Sequence, residues 1–125
     1  MSEYEIAVLS RLFDVEFQGK IELQEQVKNS TVSLMETNDN YGSLKFRIIS
    51  ESVANVKERV PVMALTRDAG GGPVEILLHV IDGKIDELEF VRMDGEPMHG
   101  LPRLDILQAY PRGGESERTI SFPEL

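Results

Sequence analysis

The sequence predicts an α+β domain in which two N-terminal helices precede an antiparallel meander sheet of about five strands. Three observations carry that prediction. Ser2-Glu3-Tyr4-Glu5 has the capping-box pattern, and Ile6, Leu9 and Phe13 follow at helical spacing. From Thr31 onward, short runs alternate apolar and polar residues between clusters of turn residues. Pro73 to Met93, PVEILLHVIDGKIDELEFVRM, sets two β-rich runs about Asp82-Gly83, the strongest short-range hairpin signal.

The first helix is expected from about residue 3 to 13, with Ser2 as N-cap, Glu5 at the third helical position, and Val8 and Leu12 beside the apolar stripe. Asp14 to Gly19 breaks the pattern. Lys20 to Lys28 is rich in Gln, Glu and Lys, with Leu23 and Val27 four apart, and reads as a second short helix. Ile21 and Leu23 also alternate, but Gln24-Glu25-Gln26 argues against a strand. Thr31 to Glu36 is expected to be a strand with Val32 and Leu34 inward, and Asn38 to Gly42 a turn cluster. Ser43 to Ser50 is the next strand, with Leu44, Phe46 and Ile48 on one side and Lys45 and Arg47 on the other. Glu51 to Glu58 connects, with a helical turn near Val53 and Val56. Arg59 to Arg67 forms a strand that tolerates Pro61 near its start. Asp68 to Gly72 is a flexible hairpin loop. After Asp94-Gly95-Glu96-Pro97 the chain is loop-rich, and Arg103 to Tyr110 is its one ordered piece. Residues 112–125 are expected to be a loop-rich or mobile tail of a single domain spanning residues 1–125.

Register decides which face of the hairpin is buried. A two-residue turn at Asp82-Gly83 would pair Leu78 with Glu87 and Ile76 with Glu89. That would force carboxylates among Val74, Ile76, Leu78 and Val80. An odd-length loop changes the parity and puts Leu88 and Phe90 on the apolar face instead. Each stranded aliphatic would otherwise cost roughly 1.5–3 kcal/mol. The expected solution is an odd-length loop with a bulge at a left-handed Gly83. The opposite face then carries Glu75, Leu77, His79, Ile81, Ile85, Glu87, Glu89 and Val91. Its aliphatics imply partial covering, by the chain's own C-terminal segment or by another molecule.

The net charge of −9 is uneven: residues 1–40 carry −5, 41–67 carry +3 and 68–125 carry −7. Nucleic acid is a poor partner for such a chain, because phosphate binding needs clustered Lys and Arg. An anionic membrane is a poor partner as well, and a basic protein is a natural one. There is no apolar run near the ~18 residues a membrane span needs. The N-terminus lacks the basic and apolar regions of a signal peptide, and the absence of cysteine removes disulfides and thiolate metal sites. Cytoplasm is the expected compartment.

Gly70-Gly71-Gly72 lacks the Lys-Ser/Thr of a phosphate loop and leads into a strand, so it reads as a hairpin loop. Asp94-Gly95-Glu96-Pro97 lacks the acidic spacing of a calcium loop and reads as a turn. His79 stands mid-strand near Glu87 and Glu89, but no nucleophile accompanies it, and His99, the other histidine, is 20 residues away. Glu87 and Glu89 share a face about 7 Å apart, without the aromatic platform a glycosidase would place beside its carboxylates. No catalytic residue, metal or cofactor is therefore expected. The reading is an uncharacterised, non-enzymatic interaction protein with Glu75, Leu77, His79, Glu87 and Glu89 as its partner surface. An acidic immunity-type protein that binds a basic partner fits by analogy. The alternatives are a small-molecule-binding or hydrolytic domain using His79 and its neighbouring carboxylates, and a homodimer that buries Leu77, Ile81 and Ile85.

The stretch Gly72 to Glu89, with Arg92, Asp94-Gly95 and Pro97 after it, carries the signature P-V-E-I-L-L-H-V-x-D-G-x-x-x-E-L-E. In this it resembles a family of small uncharacterised bacterial proteins, a domain of unknown function. The resemblance implies a short helical N-terminus ahead of the strand–Asp-Gly–strand signature, and it implies no activity and no functional residue.

Overall fold

In a computed structural model, residues 2–35, 43–49, 52–112 and 123 are described. The elements are α1 (Glu3–Leu12), α2 (Lys20–Lys28), β1 (Ser30–Met35), β2 (Ser43–Ile48), β3 (Val62–Arg67), β4 (Pro73–Ile81), β5 (Lys84–Arg92) and β6 (Gln108–Pro111). This is the expected α+β class, with six strands in one antiparallel sheet. The expected turn at residues 38–42 and most of the expected tail lie outside the described residues.

The helix starts follow from local chemistry. Ser2 Oγ accepts from the Glu5 amide at 3.2 Å, and Glu5 Oε1 accepts from the Ser2 amide at 2.8 Å, which closes the capping box. Glu5 is buried for that reason. Val8, Leu9 and Leu12 form the buried face of α1, whereas Ile6, expected on the stripe, is about half exposed. α2 follows Gly19, whose φ of 86° is left-handed. It buries Leu23 and Gln26.

The strand order is β1-β2-β5-β4-β3-β6, so the sheet departs from the expected plain meander. β3, β4 and β5 are sequential hairpin neighbours, but β2 pairs with β5, which is the Greek-key order. The segment between β2 and β3 makes this crossing. Its residues 52–58 form neither helix nor strand, so the expected helical turn is missing, and the Ala54 amide donates to the Gly83 carbonyl at 2.9 Å. The piece expected at Arg103 to Tyr110 supplies β6, which pairs with β3.

The core lies between the helices and one sheet face. Val8, Leu9, Leu12 and Leu23 meet Leu44, Val62, Ile76, Leu78, Leu88 and Phe90, all buried. Alternation along the strands sends Lys45, Met63, Leu65, Glu75, Leu77, His79, Glu87 and Glu89 to the other face.

The central hairpin has the expected parity by a different device. Asp82 and Gly83 both have positive φ, 51° and 76°, and Ile81 pairs with Lys84, so the turn has two residues. Val80 pairs with Ile85, the register then shifts, and His79 pairs with Glu87 and Leu78 with Leu88. The extra residue is Asp86, in β5, and is not in the loop. One consequence corrects the sequence reading: Ile85 is 2% exposed and belongs to the core. Of the expected homodimer patch, Ile85 is therefore not available at the surface, while Leu77 and Ile81 remain on the face away from the helices.

Candidate functional site

The bulge builds the site. Two residues of the bulged strand, Asp86 and Glu87, stand against the single residue His79. Without it, Asp86 would face His79, and Glu87 would be driven into the core against Leu78. With it, His79, Glu87 and Glu89 each offer one donor atom, and all three atoms lie within 4.8 Å of one another. His79 Nε2 and Glu89 Oε1 are 2.8 Å apart, a diagonal contact across the strand pair. The other ring nitrogen, Nδ1, is buried and has no hydrogen-bond partner among the described residues.

Charge around the cluster is unbalanced. Lys45 on β2 is the direct strand neighbour of Glu87. Its Nζ is bonded instead to Asp86 Oδ1 at 2.7 Å. Among the described residues, the carboxylates of Glu87 and Glu75 make no hydrogen bond or ion pair. The three cluster side chains are half-buried, so water only partly compensates their charge.

Of the five residues expected to form a partner surface, the structure brings His79, Glu87 and Glu89 into one cluster. Leu77 lies beside it, paired with Glu89 on one side and Met63 on the other. Glu75 is one row further, between Leu65 and Val91, and stands apart from the cluster. The expected covering of this face is present along β3. Met63 and Leu65 are each 3% exposed although they point away from the helices. Arg112 Nη1 donates to Met63 Sδ, and Arg67 Nε donates to the Pro123 carbonyl at 3.0 Å. The chain's C-terminal residues thus reach the β3 side of this face. Two surface concavities, one of about 460 Å³ between α1 and α2 and one beside β1 and β2, are lined by residues other than His79.

A second polar cluster, which sequence reasoning passed over, is closed. Asp68 is fully buried and its Oδ2 accepts from Arg92 Nη1 at 2.7 Å and from the His99 amide at 2.8 Å. Its Oδ1 accepts from the Gly70 and Gly72 amides. Arg92 also holds Asp94 through both carboxylate oxygens and donates to the Pro97 carbonyl. Burial alone would push the Asp68 carboxyl up; the His99 and Gly72 amides and Arg92 outweigh it and hold it below its ordinary value. Asp94 is likewise lowered, chiefly by its bond to Arg92. The amides of the glycine run thus face an internal carboxylate, which fits the hairpin-loop reading. A Cβ on Gly72 would lie 2.1 Å from Arg92 Cζ, so this position requires glycine.

Gln26 was also missed. Its Nε2 donates to the Ser52 and Gly83 carbonyls at 2.9 and 2.8 Å, and its Oε1 accepts from the Ile85 amide at 2.9 Å. It pins α2 to the tip of the hairpin. Its neighbours Gln24 and Glu25 look the same in sequence, and only helical phase with Leu23 singles it out.

The geometry thus defines an α+β protein whose sheet presents one histidine and paired carboxylates on the face away from its helices. Over residues 1–102 the sequence matches the family described as Domain of unknown function (DUF6984), and the chain belongs to that family. The match reaches well beyond the hairpin, taking in α1 through β5. No curated protein and no solved structure matches the chain. No helix among the described residues is long and apolar enough to cross a membrane.

Proposed function

We propose that this is a non-enzymatic interaction protein that docks a basic partner on the sheet face carrying Glu75, Leu77, His79, Glu87 and Glu89, in the manner of an acidic immunity-type protein. One observation carries the reading: among the described residues the carboxylates of Glu87 and Glu75 make no ion pair, and Lys45, the strand neighbour of Glu87, is bonded to Asp86 instead. An incoming Lys or Arg would supply the missing charge. The net charge of −9 adds long-range attraction for a basic protein and repulsion for nucleic acid. Leu77 and Ile81 supply apolar contact area next to the carboxylates.

Affinity capture with purified wild-type protein and with Glu87→Lys/Glu89→Lys tests the reading. The expected partner is basic, binds again when purified, and loses at least about tenfold in affinity to the double variant. Equal recovery of the same partner by both baits at low salt would remove this surface from consideration.

The alternative small-molecule or hydrolytic reading draws on the convergence of His79, Glu87 and Glu89 within 4.8 Å. Leu77 and Met63, on the row of Glu89, supply no nucleophile, and the amine of Lys45, beside Glu87, is bonded to Asp86. Convergence of donors without a nucleophile favours binding over covalent chemistry.

A further inference from the structure

We propose that His79, Glu87 and Glu89 form a binding site for a divalent transition-metal ion of the zinc type. This does not rest on the interaction reading.

The donor set comes first. One imidazole nitrogen and two carboxylate oxygens within 4.8 Å of one another already approach a coordination shell. Ligands bound to one zinc ion at about 2.0–2.2 Å lie roughly 3.5 Å apart in tetrahedral geometry. Side-chain movements of about an ångström would close the set. A mixed nitrogen–oxygen set suits zinc and its neighbours, whereas magnesium and calcium prefer oxygen alone. Three protein ligands leave a fourth position for water.

The frame is rigid. All three residues sit on β4 and β5, the two nine-residue strands at the centre of the sheet. The bulge at Asp86 brings Glu87 opposite His79. Bulges re-aim side chains in this way beside functional sites.

Electrostatics favours a cation there: two half-buried carboxylates share one imidazole, and the neighbouring lysine is held by Asp86 at 2.7 Å. The Glu87 carboxylate makes no hydrogen bond or ion pair among the described residues. The ring is held only through Nε2 and Glu89, and Nε2 is the nitrogen placed to ligate. With Nε2 on the ion, Nδ1 keeps its proton and meets no described acceptor. A ligating histidine without an outer hydrogen bond costs about 10–100-fold in affinity. The expected dissociation constant is therefore micromolar rather than nanomolar.

Calorimetric titration of the untagged, chelator-stripped full chain with Zn²⁺ alone tests the proposal. One equivalent should bind with micromolar affinity, Mg²⁺ should not compete, and Glu87→Gln should weaken Zn²⁺ binding at least about tenfold with an unchanged circular dichroism spectrum. The Glu87 carboxylate makes no hydrogen bond or ion pair among the described residues, so this variant should fold. The wild type supplies a second readout independent of any variant. The chain has two histidines, and ¹⁵N spectra of the imidazoles should show a Zn²⁺-dependent shift at His79 and none at His99. Absence of binding up to millimolar Zn²⁺, unchanged affinity in Glu87→Gln, or a shift confined to His99 would each overturn the proposal. No partner protein takes part in these measurements, so their failure leaves the docking reading standing, and the reverse also holds.

Discussion

Two polar clusters lie on the same sheet, and they are built from the same kinds of residue in opposite states. Around Asp68 and Arg92 every charge has its partner. The carboxylate accepts from three backbone amides and a guanidinium, and that guanidinium also grips Asp94. Around His79 the account does not balance: one hydrogen bond joins His79 to Glu89, Glu87 has no partner among the described residues, and Nδ1 is orphaned. A closed network fixes a loop and has nothing left to offer a ligand. An unbalanced one contributes little to folding and retains binding capacity. Function is therefore sought at the cluster with unmet valence, although the other is the more deeply buried.

The largest effect should come from breaking the closed cluster. Asp68→Ala takes one of its two carboxylate partners from the buried Arg92, leaves the Gly70, Gly72 and His99 amides without their acceptor, and should destabilise the fold by about 3–5 kcal/mol in chemical denaturation. Total stability of about 5–15 kcal/mol makes that loss severe. If the loss is below about 1 kcal/mol, the two clusters do not differ as described.

Acid should act on the same cluster. The Asp68 carboxyl is held below its ordinary value of 3.8 in the folded state, so the unfolded chain binds its proton first as pH falls. The stabilisation is fully present above that ordinary value and is lost as pH drops below it, through the folded-state value. Denaturation midpoints recorded across the acid range should decline there in wild type, and the decline should be shallower in Asp68→Ala.

Next in size is the hairpin tip that both clusters depend on for register. Gln26→Ala abandons the Gly83 and Ser52 carbonyls and the Ile85 amide and should cost about 1–3 kcal/mol or more. Gly83→Ala asks a side chain to occupy φ 76° with its Cβ 2.4 Å from Val53 Cγ1 and 2.5 Å from the Ala54 carbonyl. It should cost about 1–3 kcal/mol from backbone strain alone. A neutral result for either, in thermal or chemical unfolding, would mean that the tip is not docked.

The smallest effect sharpens the contrast. Glu87→Gln should change stability by no more than about 0.5 kcal/mol, because it removes a charge that no described residue compensates. A large destabilisation would show that Glu87 is structurally engaged and would weaken its assignment as a binding residue.

Several of these features were legible in the sequence. The capping box at Ser2 and Glu5, the turn at Asp82-Gly83 and the pairing of Leu78 with Leu88 follow from local spacing and from the cost of misplacing apolar groups. Parity required one extra residue, but the place expected for it, the loop at Gly83, was wrong. Ile85 and Leu88 held the missing signal. Two inward aliphatics three positions apart on one strand need a bulge between them, and placing it at Gly83 sends Ile85 outward. The pairing of β2 with β5 was not legible, because nothing local to either strand selects its neighbour and the intervening segment has no regular pattern. The Asp68–Arg92 pair was hidden for the same reason: 24 residues separate its members, and only the folded hairpin brings them to 2.7 Å. At the cluster, alternation placed Glu87 and Glu89 on one face with His79. The diversion of Lys45 to Asp86 depends on the bulge and could not be read beforehand.

The most direct test of the account is a measurement of cross-strand nuclear Overhauser contacts between β4 and β5 in the uncomplexed protein. The account predicts contacts that pair Leu78 with Leu88 and His79 with Glu87, together with Val80 against Ile85. Contacts pairing Leu78 with Glu87 and His79 with Asp86 would place the bulge elsewhere, move Glu87 off the histidine, and contradict the site.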